Sequence, residues 1–252
     1  MKESMKVVFF GAGAVGASIG AWVATKHENT YFVDRPEITD AIRENGITHY
    51  VQDEEKKKQT VHVNVVDDIT EIEDPDVIAV AVKNYSLDAV SKMIREKIGD
   101  GPIVVGLQNG MDNQSILPKY FSKPVFGVVC YNAWLDAPGV VGVQKKGPLV
   151  LGVLDKDLGF ELKAVTRVFN KGVETVATPH LMDAVLSKMI VNLTNSLTTL
   201  VGHKFREISD PKLFQKLLSN LTYEGVRIVK AAGYNECSLG GMPSWTMMEL
   251  SS

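Results

Sequence analysis

The sequence predicts an α/β protein, with a doubly wound parallel sheet in an N-terminal domain and an all-α domain after it. Short apolar runs alternate with helical-period segments from residue 6 to about 130. Two of these runs, 78–82 and 103–107, are apolar on both faces, which is typical of central parallel strands covered by helices. The strand pattern ends near residue 178. We therefore expect one domain over residues 1–178 and a second over 179–252.

The individual strands are predicted from β-branched and aromatic runs that end at turn residues. In chain order they cover residues 6–10, 30–33, 61–66, 77–82, 103–107, 125–129, 140–143 and 149–153. Helices are predicted between the first of these strands at 14–25, 38–45 and 86–98, and the second domain carries two long helices at 181–201 and 213–232.

Composition excludes several classes of protein. The 252 residues are 45% hydrophobic and carry a net charge of -3, so no overall positive field attracts nucleic acid or an anionic membrane. The two cysteines, Cys130 and Cys237, lie far apart and have no metal-ligand spacing. We expect no disulfide framework, no metal site and no nucleic-acid partner.

The stretch 7–24 contains no charged residue and follows two lysines, so it imitates a signal peptide or a membrane span. Four glycines interrupt it, and it divides into a strand-like piece, a turn and an Ala-rich piece. We favour a strand, turn and helix over the secretory alternative, and expect a cytoplasmic protein without a membrane partner.

The turn in this stretch has the pattern GxGxxG, formed by Gly11, Ala12, Gly13, Ala14, Val15 and Gly16. The first glycine permits a tight turn, the second lets the backbone approach a pyrophosphate, and the third lets the helix pack on the strand. Because the motif follows a first strand and opens a helix, it predicts a Rossmann-type dinucleotide site. The alternative is a packing turn that binds nothing.

Two residues after the second strand favour different dinucleotides. Asp34 is placed to accept a hydrogen bond from the ribose 2′-OH of NAD, whereas the guanidinium of Arg35 is suited to the 2′-phosphate of NADP. Either residue could instead be an ordinary loop residue, so the spacing alone leaves the cofactor open.

The helix at 184–201 is apolar nearly all round, and we expect it to be largely buried. A single polar line crosses it on one face, with Lys188, Asn192, Asn195 or Ser196, and Thr199 at positions i, i+4, i+7 or i+8, and i+11. Such a line in a buried helix points to a cleft. The alternative is a lysine whose ammonium reaches water beside satisfied amides.

Four segments together resemble the ketopantoate reductases (2-dehydropantoate 2-reductases). They are the glycine motif at 11–16, the sequence VAVK ending at Lys83, the sequence GLQNGM containing Asn109, and KMIVN from Lys188 to Asn192. The resemblance extends from residue 6 to about 232. Independently of it, Lys83 and Asn109 each follow a predicted parallel strand, where such sheets bind ligands, although an exposed lysine and a turn-forming asparagine are the alternatives.

The resemblance implies roles for particular residues. Arg35 corresponds to an arginine that holds the NADP 2′-phosphate, and this favours NADP(H) as the cofactor. Lys188 corresponds to the catalytic lysine. Lys83 and Ala133 correspond to two residues that contact the cofactor. Asn109 corresponds to an asparagine near both nicotinamide and substrate, and Asn192 corresponds to a substrate-binding asparagine.

The chain also departs from the family pattern. Ser196 stands where the family repeats an asparagine, a glutamate that the family contributes near the substrate has no counterpart, and the helical domain is shorter than the family's. Such a domain could expose apolar surface that pairs with another subunit, so a homodimer is one expectation.

The resulting hypothesis is an NADPH-dependent reductase that converts a 2-oxo acid, with 2-dehydropantoate as the first candidate, into the 2-hydroxy acid pantoate, as in pantothenate biosynthesis. The alternatives are a related enzyme for another oxo acid or ketone, and a non-catalytic dinucleotide-binding regulator.

Overall fold

A computed structural model describes residues 4–202, 207–240 and 244–250. The chain divides into two units, Met1–Pro179 and His180–Ser252. The described strands are β1 (Val7–Phe10), β2 (Thr30–Val33), β3 (Ile47–Val51), β4 (Gln59–Val61), β5 (Asn64–Val65), β6 (Val77–Val80), β7 (Ile103–Gly106), β8 (Pro124–Val129), β9 (Ala133–Ala137), β10 (Val140–Val143), β11 (Leu149–Gly152) and β12 (Thr175–Ala177). The described α-helices are α1 (Ala14–Ala24), α2 (Pro36–Asn45), α3 (Asn84–Ile98), α4 (Asp112–Ile116) and α5 (Gly159–Phe169) in the first unit, and α6 (Leu181–Leu200), α7 (Pro211–Ala231) and α8 (Trp245–Leu250) in the second.

The main sheet of the N-terminal unit has the strand order β12-β11-β8-β7-β6-β1-β2-β5. All neighbours are parallel except β8 and β11, which are antiparallel. Chain order runs outward from β1 in both directions, and β1 pairs with β2 on one side and β6 on the other. This is the doubly wound arrangement, and it confirms the predicted fold class. In doubly wound sheets, ligands bind at the carboxyl ends of the strands, beside this point of reversal.

A second sheet, of order β4-β3-β10-β9, was not predicted. Helix α1 packs against strands of both sheets, and every residue from Gly16 to Val23 is buried. A helix covered on both sides has no need of a polar face, which explains why the stretch 7–24 lacks charge. Within the described residues, no helix has the length and apolar character needed to cross a membrane.

The predicted strand at 61–66 is wrong as a single element. Residues up to Val61 belong to β4 in the small sheet, and Asn64 begins β5 at the edge of the main sheet. The alternation of Val61, Val63 and Val65 imitates one continuous strand. The two residues between β4 and β5 let the chain change sheets, and a periodic pattern does not reveal such a change.

The helical unit corrects a second expectation, because α6 is not buried throughout. Its described buried residues all lie in the first half: Leu181, Ala184, Val185, Ser187, Lys188 and Ile190. Near its end, Leu200 is 81% exposed. The helix packs against α7, where a side chain in place of Gly225 would approach Leu193 Cδ1 within 2.8 Å. Apolar residues on all sides of a helix therefore do not mean that the helix is buried along its whole length.

Candidate functional site

The glycine-rich turn connects β1 to α1 at the carboxyl edge of the main sheet. Gly11 adopts a φ of +101°, in the left-handed region that favours glycine, and its N–H donates to the Val33 carbonyl at 2.9 Å. A Cβ at Gly16 would overlap the Gly11 carbonyl oxygen and lie 3.0 Å from the Ala81 Cβ. These two glycines are therefore required by the turn itself and by the close packing of α1.

Gly13 serves a different purpose, because no packing in the described structure requires it. Its φ of -67° suits any residue, and a Cβ there would meet no described atom within 4 Å. Gly13 is the N-cap of α1, which has no side-chain cap and no acidic residue in its first turn. Unpaired N–H groups and the helix dipole make such a terminus an anion site, and open space at Gly13 leaves room for a pyrophosphate. These residues fit the phosphates of a dinucleotide.

Asp34 and Arg35 follow β2 and differ in exposure and bonding. The Asp34 carboxylate accepts hydrogen bonds from the Ala12 N–H at 2.6 Å and from the Arg35 N–H at 2.7 Å. The Arg35 side chain is 73% exposed, and its Nη1 lies 2.9 Å from Glu37 Oε1. Asp34 thus holds the glycine-rich turn, while the exposed Arg35 guanidinium pairs with Glu37 and, through Nε at 3.9 Å, with Asp34 Oδ1.

Lys83 and Asn109 lie after neighbouring parallel strands, β6 and β7, and both are exposed. Lys83 is the N-cap residue of α3, and Asn109 precedes Gly110, whose φ is +91°. Because a Cβ on Gly11 would contact the backbone of residues 81 and 82 at 3.0 Å, the end of β6 adjoins the glycine-rich turn. Three of the predicted cofactor segments therefore meet at one edge of the sheet.

Ala133 belongs to the other sheet. It is the first residue of β9, is half-buried and pairs with Val143 of β10. Gln108, which is buried two residues after the end of β7, was not among the predicted site residues. A polar residue following an apolar strand and preceding Asn109 was the available signal.

The three predicted site residues of α6 lie on one face of that helix but differ in burial. Lys188 is buried with 8% exposure, Asn192 is half-buried, and Ser196 is exposed. Ser196 donates its hydroxyl to the Leu193 carbonyl at 2.8 Å, and Asn195 Nδ2 lies 3.5 Å from Asn192 Oδ1. The side chains along this line become more exposed from Lys188 to Ser196. Lys188 is therefore the most buried of the three.

A buried histidine lies on the other side of α1 from the main sheet. The ring centroids of His49 and Trp22 are 6.2 Å apart in an edge-on arrangement, and Lys146 Nζ lies 5.5 Å from the Trp22 centroid. Burial is the main cause that lowers the pKa of His49, and the charge of Lys146 lowers it further. His49 Nε2 has no hydrogen-bond partner among the residues that the structure describes. Burial and the nearby Lys146 charge therefore both disfavour the protonated imidazole.

Comparison with known proteins identifies both units. Residues 7–156 match the family model described as ketopantoate reductase PanE/ApbA, and residues 180–242 match that of its C-terminal part. Proteins named 2-dehydropantoate 2-reductase from Pyrococcus abyssi and Archaeoglobus fulgidus are each 28% identical to this chain, over 231 and 232 residues. Each alignment covers 91% of this chain and 75% of the relative.

Solved structures show the same fold. A 2-dehydropantoate 2-reductase from Geobacter metallireducens superposes with a TM-score of 0.81 at 24% identity, covering 97% of this chain and 81% of that one. D-mandelate dehydrogenase in complex with NADH and anilino(oxo)acetate gives a TM-score of 0.78 at 21% identity, covering 92% and 76% of the two chains. Since one family model matches more than half of the sequence and a second matches the helical unit, the chain belongs to the ketopantoate reductase family.

Proposed function

We propose that this protein reduces a 2-oxo acid to the 2-hydroxy acid with NADPH, and that 2-dehydropantoate, which yields pantoate, is its substrate. The observation that carries the proposal is the uncapped start of α1 at Gly13, in a chain that matches both parts of a reductase family. The N-terminal unit would be the dinucleotide-binding domain, and the helical unit would supply the catalytic lysine.

The cofactor would be held by residues of the N-terminal unit. The N–H groups of Gly11 and Ala12 are bonded within the protein, to Val33 and Asp34. In the turn from Gly11 to Gly16, the pyrophosphate would therefore be bound by the backbone N–H groups at the start of α1, which no side chain caps. Arg35 would bind the 2′-phosphate of NADP(H), since a guanidinium makes charge-assisted bonds to phosphate and this one is exposed. The remaining contacts in the proposal are Lys83, Asn109 and Ala133.

The chemistry requires a hydride and a proton. NADPH, when bound, supplies the hydride to the keto carbon. The Lys188 ammonium would donate the proton to the developing alkoxide, and its positive charge would stabilise the oxyanion beforehand. Asn109, Asn192 and Ser196 would orient the polar groups of the substrate.

A second candidate is the reduction of a different 2-oxo acid by the same mechanism. Ser196 favours it, because the family asparagine is replaced by a shorter side chain whose hydroxyl bonds to its own helix backbone. D-mandelate dehydrogenase shares this fold, so an aryl 2-oxo acid is a reasonable member of any substrate panel. A dinucleotide-binding regulator without turnover is the remaining alternative.

Turnover separates these candidates. The test is oxidation of NADPH and of NADH, followed at 340 nm, with 2-dehydropantoate, pyruvate and phenylglyoxylate. The proposal requires the highest kcat/KM for 2-dehydropantoate with NADPH. Preference for another oxo acid would favour the second candidate. Tight dinucleotide binding without oxidation of either cofactor would favour a regulator.

A further inference from the structure

A buried glutamine lies between the two strand ends that carry Lys83 and Asn109. Gln108 follows β7 by two residues and is only 8% exposed, whereas its neighbour Asn109 is exposed. A buried amide must have its hydrogen-bonding groups satisfied or it destabilises the fold. The partners of Gln108 therefore indicate what the residue does.

The amide nitrogen of Gln108 bonds to the neighbouring strand end. Nε2 donates to the Val80 carbonyl at 2.8 Å and to the Val82 carbonyl at 3.2 Å. Val80 ends β6, and Val82 immediately precedes Lys83. Both N–H groups of one side chain are thus used to fix the backbone that leads to Lys83.

The amide oxygen of Gln108 bonds to a residue that follows it in the chain. Asn113 Nδ2, in α4, donates to Gln108 Oε1 at 3.4 Å, and Asn113 is itself buried. A further bond, from Asn84 Nδ2 to Asp112 Oδ2, joins the first residues of α3 and α4. The loop that carries Asn109 and the loop that carries Lys83 are therefore joined through side chains as well as through the sheet.

The Val80 carbonyl also accepts the backbone N–H of Leu107 at 3.1 Å, as expected for adjacent parallel strands. The pairing of β6 with β7 ends at Val80 and Gly106, so Val82 lies beyond it. The bond to Gln108 therefore extends the connection past the end of the sheet, to the residue next to Lys83.

We infer that Gln108 is a positioning residue, which holds Lys83 and Asn109 in the arrangement that binds the dinucleotide. This inference rests on the proposed function, because it requires that the two loops bind the cofactor of that function. Asparagine is too short to span the same two carbonyls, and methionine has similar length but no donor.

The experiment compares Gln108→Met with Thr175→Val in the full chain. Thr175 is buried in β12 at the far edge of the main sheet, and its hydroxyl donates to the Val173 carbonyl at 2.9 Å. Thr175→Val also removes a buried bond from side chain to backbone, but away from the proposed site. The measurements are thermal unfolding, NADPH affinity by fluorescence titration, and hydrogen–deuterium exchange of residues 79–88 without cofactor.

We expect Gln108→Met to weaken NADPH binding by roughly tenfold, the effect of losing one or two neutral hydrogen bonds. It should also speed exchange in 79–88, whereas Thr175→Val should change neither quantity while lowering the unfolding temperature. If Gln108→Met folds poorly, Gln108→Asn replaces it: this variant keeps a buried amide but is too short to bond both carbonyls, so it should show changes of the same kind.

If hydrogen–deuterium exchange of residues 79–88 is unchanged in Gln108→Met, the hydrogen bonds of Gln108 do not constrain this loop, and the inference is wrong. Faster exchange with unchanged NADPH affinity would overturn the positioning role and leave a purely structural one. If the unaltered protein binds no dinucleotide, the proposed function fails and the positioning role fails with it. The exchange data would then still report whether Gln108 fixes the loop.

Discussion

The Asp34 carboxylate accepts the backbone N–H of Ala12 at 2.6 Å, and this bond joins the end of β2 to the glycine-rich turn. Its second oxygen accepts the N–H of Arg35 at 2.7 Å. The acid that is placed to bind an NAD ribose is therefore engaged with the protein backbone. Asp34 therefore shapes the turn through the backbone that it binds.

Asp34→Ala should weaken NADPH and NADH binding by a similar factor, because the turn that holds the shared pyrophosphate loses its support. Hydrogen bonds to charged groups contribute about 1.5–3 kcal/mol, so a loss of about tenfold or more is expected. Fluorescence titration of each cofactor measures it. Asp34→Asn keeps an acceptor oxygen and is the matched control, with a smaller expected effect. A selective loss of NADH would show instead that Asp34 binds the ribose.

Arg35→Ala should weaken NADPH binding by about 1.5–3 kcal/mol and leave NADH nearly unchanged, because only NADPH has the 2′-phosphate. Arg43→Ala is the control, since Arg43 is an arginine of α2 whose guanidinium is paired with Asp40 and Asp67. Competition titrations with the two cofactors provide the measurement. Tighter binding of NADH than NADPH by the unaltered protein would contradict the assignment.

Gly13→Val and Gly16→Val should fail in different ways. A Cβ at 13 meets no described atom within 4 Å, so the Gly13→Val protein should fold but lose dinucleotide binding. Valine at 16 would overlap the Gly11 carbonyl, so that variant should be strongly destabilised or insoluble. Calorimetry and cofactor titration separate the two effects. Normal dinucleotide binding by Gly13→Val would refute the pyrophosphate site.

Lys188→Ala should lower kcat by about 10²–10⁴-fold, the usual contribution of general acid catalysis, and leave NADPH affinity nearly unchanged. Lys212→Ala, at an exposed position of α7, controls for loss of a lysine from the same unit. Steady-state rates and cofactor titration supply the two readouts. A variant that had lost NADPH binding would place Lys188 at the cofactor, and a near-normal rate would remove it from the mechanism.

His49 should make the protein less stable in mild acid. Burial holds its pKa below the ordinary value of 6.5, so the unfolded chain binds more protons than the folded one as the pH falls through 6.5. The contribution of His49 to the free energy of unfolding is therefore complete above pH 6.5 and is lost as the pH falls below that value. Urea unfolding at pH 7.5 and 5.5 should show a smaller acid-induced loss for His49→Leu than for the unaltered protein. His62→Leu, at an exposed histidine, should retain the full loss.

Local patterns in the sequence were sufficient for the six inner strands of the main sheet and for the two long helices α6 and α7. They missed the edge strand β12 and merged β5, at the other edge, with β4. The runs that became β6 and β7 are buried on both faces, as their composition indicated. The small sheet was missed because β3 contains polar residues, and its buried neighbour β10 lies far away in the chain. Local patterns do not reveal pairing over such a distance.

The residues of the candidate site also divide into those that a local sequence pattern reveals and those that only the folded structure reveals. The glycine motif and the residues after β6 and β7 follow from strand ends and spacing, so they could be named in advance. The Asp34 bond to Ala12 and the Gln108 bonds to Val80 and Val82 depend on which loops the fold brings together. Spacing suggested a ribose ligand for Asp34, and only three-dimensional contacts gave it a partner within the protein.

The small sheet also constrains the order in which the chain can fold. Its central pair joins β3 to β10, with Thr48 opposite Val140, so α1 lacks its outer cover until the chain has been synthesised beyond residue 143. During translation the uncharged stretch 7–24 is therefore complete long before its second layer exists. Pairing of such distant segments is slow, because a long loop must close first. A nascent chain of this protein would consequently expose the outer face of α1 until β10 is synthesised, and transiently exposed apolar surface of this kind promotes aggregation.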